Sequence, residues 1–253
     1  MEENKSSKKI TRVEGGDSGS SETPAFVASA ESKSKATNLR IFAFVAWLAA
    51  IGLEVYAILL LRKPPVNMTW LIGLIVVTLI LAVLGNMLWK KSNRLDPASE
   101  KDKARFFIQN QLGAIMGVLA FLPLVIMIFT NKDLSGKQKG LVGSIAVVAM
   151  LIAGITGVDF NPPSQEQYAE QTKEVQDLMG GANHVYWTKS GKSYHLYSTC
   201  GYINSNRTNE IFEGTVAQAR ELKNITDLCD RCANQAKKEQ NQAVPETATE
   251  GQQ

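Results

Sequence analysis

The chain has 253 residues, 45% of them apolar, with a net charge of +3 and a mean hydropathy near zero. So small a net charge gives no argument for a nucleic-acid protein, and where the positive charges sit matters more than their sum. The averages also blend two unlike parts, because apolar residues crowd into 40–157 and both ends are polar.

Residues 1–38 are rich in Ser, Gly, Lys and Glu and carry few large apolar groups. Such a segment cannot bury enough surface to offset the entropy of ordering it, so it reads as a disordered tail. It is not a cleavable signal peptide, because the first apolar run begins only near Leu39 and is too long for one.

Four runs are long and apolar enough to cross a bilayer as helices: Ile41–Leu61, Met68–Trp89, Leu112–Thr130 and Leu141–Gly157. A soluble helix of this length shows a polar stripe at helical period, and these runs have none. Residues 39–158 therefore read as an all-α membrane domain of four transmembrane helices. Small residues recur at four-residue spacing, Gly113 and Gly117 in the third run and Ala149, Ala153 and Gly157 in the fourth. That spacing lets helix backbones approach closely, and packing within one chain is the expectation.

Orientation follows from Lys and Arg at the span ends. The loop between the second and third spans carries Lys90, Lys91, Arg94, Lys101, Lys103 and Arg105, and the N-terminal flank adds Lys33, Lys35 and Arg40. The first connecting loop has Arg62 and Lys63, and the third has Lys132, Lys137 and Lys139. The middle loop is expected to be cytoplasmic, and with it both termini. Within that loop Asp96-Pro97 reads as an N-cap and first-turn pair opening a basic helix toward Arg105-Phe106-Phe107. Such a helix can hold anionic lipid headgroups, although its ordinary role is the topology signal itself.

One ionisable side chain lies inside a span. Glu54 sits eight residues before Arg62, about 12 Å from the end of its helix. An intramembrane carboxylate either marks a proton or cation site, as in a small transporter or channel subunit, or is hydrogen-bonded to a neighbouring helix. Thr78 and Asn86 are the candidate partners. Transporters carry several such groups and this chain has one, so the structural role is expected.

Residues 159–183 read as an amphipathic helical stalk. Ser164 and Gln167 form a capping box, Tyr168, Val175, Leu178 and Met179 line one face, and Gly180-Gly181 closes the helix. A head follows over residues 184–236. Val185-Tyr186-Trp187, a turn at Ser190-Gly191 and Tyr194-His195 suggest a β-hairpin, and Thr215 with Gln218 opens a helix through Leu222. A last helix is expected from Asp230, fraying after Gln235 into a second disordered tail over 237–253.

About fifty residues make a poor core, and domains of that size need a staple. His195, Cys200, Cys229 and Cys232 offer one: a tetrahedral zinc ion takes four nitrogen or sulfur ligands, and a Cys-x2-Cys pair grips one face of it. A disulfide would leave one of the three cysteines unpaired, and a cytoplasmic location keeps thiols reduced. A redox dithiol at Cys229 and Cys232 would leave His195 and Cys200 without a role. His184 is the spare histidine.

His195-x4-Cys200, a long insert and Cys229-x2-Cys232 together resemble the metal-binding domain of the Ada alkylation-response family. They are similar also to short modules of the type VY-TKSGKxYH…C…CxRC at the ends of bacterial membrane and secreted proteins. The resemblance covers about a fifth of the chain and implies a small α+β zinc-binding domain of Ada-like fold. In that family all four ligands are cysteines and the first accepts a methyl group. Here His195 stands in its place, so the methyl-transfer chemistry is not implied.

No catalytic triad, paired-carboxylate, phosphate-loop or HExxH pattern accompanies these motifs. The expectation is a non-enzymatic bacterial membrane protein whose partners are the bilayer and an unidentified protein. Lys189, Lys192, Arg207, Arg220, Lys223 and Arg231 interleave with Tyr186, Trp187 and Tyr194, a mixture that also suits a nucleic-acid surface, which is the weaker expectation.

Overall fold

The computed structural model describes residues 9–12, 26, 28–223 and 225–243. The chain divides into two compact units, one over Ala28–Gln165 and one that combines Met1–Val27 with Glu166–Gln253.

The first unit is made of helices α1 (Ala30–Leu61), α2 (Met68–Leu95), α3 (Lys103–Leu119), α4 (Leu122–Thr130) and α5 (Gly136–Gly157). Taking α3 and α4 together, four segments among the described residues are long and apolar enough to cross a membrane. Their packing is the inverse of a soluble bundle. In α1 the inward positions are held by Ala36, Ala43, Trp47, Ala50, Glu54, Ala57 and Leu61, while Phe42, Val45 and Leu48 face outward. Leu48 is 65% exposed and Ala50 fully buried. A continuous surface of large apolar side chains needs a lipid cover, and small inward residues let the helices approach. The chain is a multi-pass membrane protein.

From Ala43 to Leu61 the inward positions of α1 named above recur at alternating intervals of four and three, and Leu71, Ile75, Thr78, Ala82, Gly85 and Trp89 of α2 do the same. This is the seam of a left-handed helix pair. Asn86 ties the seam to α5: its Oδ1 accepts from Trp47 Nε1 at 3.1 Å, and its Nδ2 donates to the Ala153 carbonyl at 2.8 Å and to Thr156 Oγ1 at 3.2 Å. The small-residue faces meet within the chain. A Cβ built on Gly117 would lie 2.8 Å from the Ala153 carbonyl carbon, and one on Gly157 would strike the Gly113 backbone.

Several local expectations are corrected. Asp96 does not open a helix: α2 runs through Leu95, and the Asp96 carboxylate pairs with Arg40 at 2.9 Å. Arg40 also donates to the Asp96 carbonyl, as does Gln109, so the residue joins α1, α2 and α3. The cap of α3 is Asp102, whose side chain accepts from the Arg105 N–H. α5 begins at Gly136, earlier than its apolar run, because Ser135 and Gln138 form a capping box.

The third span is broken. α3 ends at Leu119, and α4 starts at Leu122 with Pro123 in its first turn and no side-chain cap of its own. Glu54 supplies the missing acceptor from α1: its Oε1 accepts from the Leu124 N–H at 3.2 Å. Neither Thr78 nor Asn86 is its partner. In lipid every backbone group at a helix break needs a partner from the protein. Glu54→Gln keeps an acceptor oxygen and is expected to melt within a degree or two of the parent in detergent. Glu54→Ala orphans the N–H at a cost of roughly 1–3 kcal/mol and is expected to melt clearly lower. Equal melting of the two variants would contradict this role.

The second unit contains β1 (Lys9–Arg12), α6 (Gln165–Leu178), β2 (Val185–Trp187), β3 (Ser193–Tyr194), β4 (Glu210–Gly214), α7 (Val216–Lys223), β5 (Asp227–Leu228) and α8 (Asp230–Ala243). One sheet has the order β1-β4-β2, with β1 parallel and β2 antiparallel to β4; β3 and β5 form a separate parallel pair. The hairpin expected from Val185 to His195 survives as a single bridge, Tyr186 to His195, with both N–H···O distances 2.7 Å. β2 takes β4 as its main partner instead, which buries Val185 and Trp187 on the inner face.

The region read as a stalk belongs to this unit. Val175 of α6 is fully buried in the same core as Trp187, Tyr194, Ile211, Val216 and Ile225. Gly180 and Gly181 close α6 with φ of 63° and 97°, backbone that favours glycine. α7 opens on the expected box, with Thr215 and Gln218 each bonding the other's N–H through its side chain. Three parts of the segments read as disordered are ordered. Lys9–Arg12 gains a strand partner, α1 begins at Ala30, and α8 continues to Ala243. The rest of 1–38 and of 237–253 lies outside the described residues, apart from Phe26, Ala28 and Ser29.

Candidate metal centre

The parallel pairing of β3 with β5 sets Tyr194 beside Leu228. The next residue on each strand is His195 and Cys229, and the Cys229 N–H donates to the Tyr194 carbonyl at 2.9 Å. Cys229 is also the residue before α8, where its carbonyl accepts the helical bond from Ala233 at 3.0 Å. One turn on, Cys232 faces back toward the strands. Cys200 arrives from the other side on a tight turn, its N–H donating to the Tyr197 carbonyl and its carbonyl accepting from Ile203 and Asn204.

The result is a cluster of His195, Cys200, Cys229 and Cys232 whose donor atoms all lie within 4.8 Å of one another. All four residues are buried, and all three cysteines are free. Cys232 Sγ is 3.7 Å from His195 Nδ1. In a tetrahedral site with metal–sulfur bonds of about 2.3 Å, neighbouring donors stand roughly 3.8 Å apart. The donor set therefore needs only a small contraction to close on one ion.

The electrostatics agree with that reading. Burial pushes the Cys232 thiol up to about 12, and the nearby Cys200 adds to the rise. The backbone N–H groups of Leu196 and Tyr197 act the other way, stabilising a negative sulfur. Burial lowers His195, which favours the neutral imidazole. A neutral imidazole and a buried Cys232 thiol whose anion is favoured by a nearby cation are compatible with a metal site. The N–H groups that face the sulfur supply the outer layer that orients such ligands.

His184 is outside the cluster. Its Nε2 lies 3.3 Å from Glu213, and its ring packs edge-on to Tyr186. The aromatic and basic residues read as a possible nucleic-acid surface do not form one face, since Trp187, Tyr194 and Arg220 are fully buried. Arg220 is a core residue that the sequence pattern gave no reason to bury. Its guanidinium lies 3.7 Å from the Tyr168 ring centroid and donates to the Tyr168 carbonyl and to Gln171 Oε1. Burial brings it down to about 10.

Comparison with protein-family models, curated proteins and solved structures finds no match to this chain. The likeness to the Ada metal-binding domain thus stands on the His195, Cys200, Cys229 and Cys232 spacing alone.

Proposed function

We propose that this is a non-enzymatic bacterial membrane protein whose head, held together by one zinc ion, acts as an interaction or sensing module at the cytoplasmic face. The observation that carries the reading is the buried tetrad of three cysteines and one histidine. Three thiolates and an imidazole suit zinc in a tetrahedral site, and four protein ligands leave no open position for water or substrate. A closed site of this kind organises a fold. The buried Glu54 carboxylate of the membrane unit serves as a helix cap, which supports a structural rather than a transporting bundle.

The cytoplasmic side is supported by the Lys and Arg residues of the loop between α2 and α3. Four spans return the chain to the side on which it began. The pairing of Lys9–Arg12 with Glu210–Glu213 supports a same-side arrangement of the two ends. The test is thiol labelling in intact cells with a membrane-impermeant reagent. Cysteine placed at Lys132, an exposed position of the third connecting loop, is expected to label. Cysteine placed at Gln242, near the end of α8, is expected to react only after the membrane is opened. The opposite pattern would reverse the orientation. Crosslinking from membranes then asks what the head binds: partners of the intact protein absent from a Cys232→Ser variant belong to the head.

A further inference from the structure

The N-terminal strand is joined to the head in an unusual way. β1 adds to the outer edge of β4 in parallel register, Lys9 opposite Glu210, Ile10 opposite Ile211, Thr11 opposite Phe212 and Arg12 opposite Glu213. The side-chain contacts are polar. Lys9 Nζ lies 3.7 Å from Glu210 Oε1, Thr11 Oγ1 donates to the same oxygen at 2.6 Å, and Arg12 Nε lies 3.8 Å from Glu213 Oε1. Nothing large is buried: Ile10 is 48% exposed, and the Lys9 and Arg12 side chains are 76% and 79% exposed. Exposed ion pairs of this kind add little stability and are screened by salt. On its other side β4 is held by β2 and by buried Ile211. The edge is firm and its occupant is lightly held.

An exposed strand edge recruits extended segments through backbone hydrogen bonds, and side chains at set positions decide which segment fits. We propose that the β4 edge is a docking site for an extended basic segment of a partner protein, which β1 occupies in the resting chain until it is displaced. The fitting segment carries Lys or Arg at its first and fourth positions, opposite Glu210 and Glu213, with β-branched residues between. This deepens the reading of the head as an interaction module by naming the surface and the chemistry of what it takes. A tethered strand acts at an effective concentration on the order of millimolar, so the chain's own segment holds back weak competitors.

The test uses the purified chain in detergent and a fluorescent synthetic peptide with the sequence of residues 5–16, KSSKKITRVEGG. A variant lacking residues 2–14 is expected to bind the peptide saturably, about tenfold or more tighter than the full chain does, because the tethered competitor is gone. Lys9→Glu with Arg12→Glu in the full chain is expected to raise binding in the same direction, and it carries the test if the deletion disturbs the head. Glu210→Lys with Glu213→Lys in the deletion variant is expected to abolish binding. Equal binding to full chain and variants, or none to a variant whose Arg220 stays protected from trypsin, would overturn the proposal. So would a full chain that is dimeric only when residues 2–14 are present, since a second copy would then supply the strand. Metal content measured on the same samples separates the outcomes: failure of docking in a metal-loaded, folded head leaves the zinc reading standing.

Discussion

Cys229→Ser or Cys232→Ser is expected to unfold the head while leaving the membrane unit intact. Metal binding to a structural zinc site contributes roughly 10–16 kcal/mol of folding free energy in small peptides near neutral pH. Whole domains are stable by only about 5–15 kcal/mol, and small ones lie toward the lower end. Loss of one thiolate therefore removes more than the remaining core of Val175, Trp187, Ile211 and Val216 can supply. Trypsin gives a clean readout, since Arg220 is fully buried in the folded head. Rapid cleavage after Arg220 in either variant, against protection of the same bond in the parent, is the expected result. His195→Ala is expected to weaken the site less, because water can complete a three-thiolate shell. His184→Ala is the control: that side chain meets Glu213 and Tyr186, so metal content should not change. Resistance of Cys232→Ser to cleavage at Arg220 would contradict the account.

The second large effect is in the membrane unit. Gly157→Leu is expected to prevent α3 and α5 from packing, because even a Cβ at this position would overlap the Gly113 and Ala114 backbone. Overpacking costs typically 1–3 kcal/mol when side chains can shift. Here the obstacle is main chain, which cannot rotate away, so the cost falls at or above the top of that range. Separating the helices would also strain the bonds from Asn86 to Ala153 and Thr156. The variant is expected to reach the membrane at reduced abundance and to lose its cooperative melting transition in detergent. Gly154→Leu on the same helix is the contrast, since a Cβ there meets only Val118 Cγ2 at 3.8 Å. Similar behaviour of the two variants would show that the close approach carries no weight.

The parts that were legible in the sequence are those written as local patterns. Apolar runs marked the spans, Gly113 with Gly117 and Ala153 with Gly157 marked the close packing, and the tetrad was legible from spacing alone. What escaped depends on contacts distant in the chain. Asp96 carries a good capping side chain, but Arg40 of another helix claims it, and Asp102 caps α3 instead. The break between α3 and α4 is hidden because Ala120, Phe121 and Leu122 are all apolar, and only Pro123 hints at it. Glu54 looked stranded until the break gave it the Leu124 N–H. Arg220 reads as a solvated helix residue, and only Tyr168 and Gln171 of α6 explain its burial. Lys9–Arg12 has the composition of a coil and becomes a strand through β4. α6 was read as a stalk because its amphipathic helix lies between the last span and the head in the sequence, yet Val175 completes the core of the head.

Elemental analysis of the intact protein, purified without added metal and repeated after a strong chelator, tests the central claim most directly. The account predicts one zinc per chain before chelation and none after it, with Arg220 passing from protected to rapidly cleaved by trypsin as the zinc leaves. A chain that is metal-free from the outset, with Arg220 still protected, would contradict it.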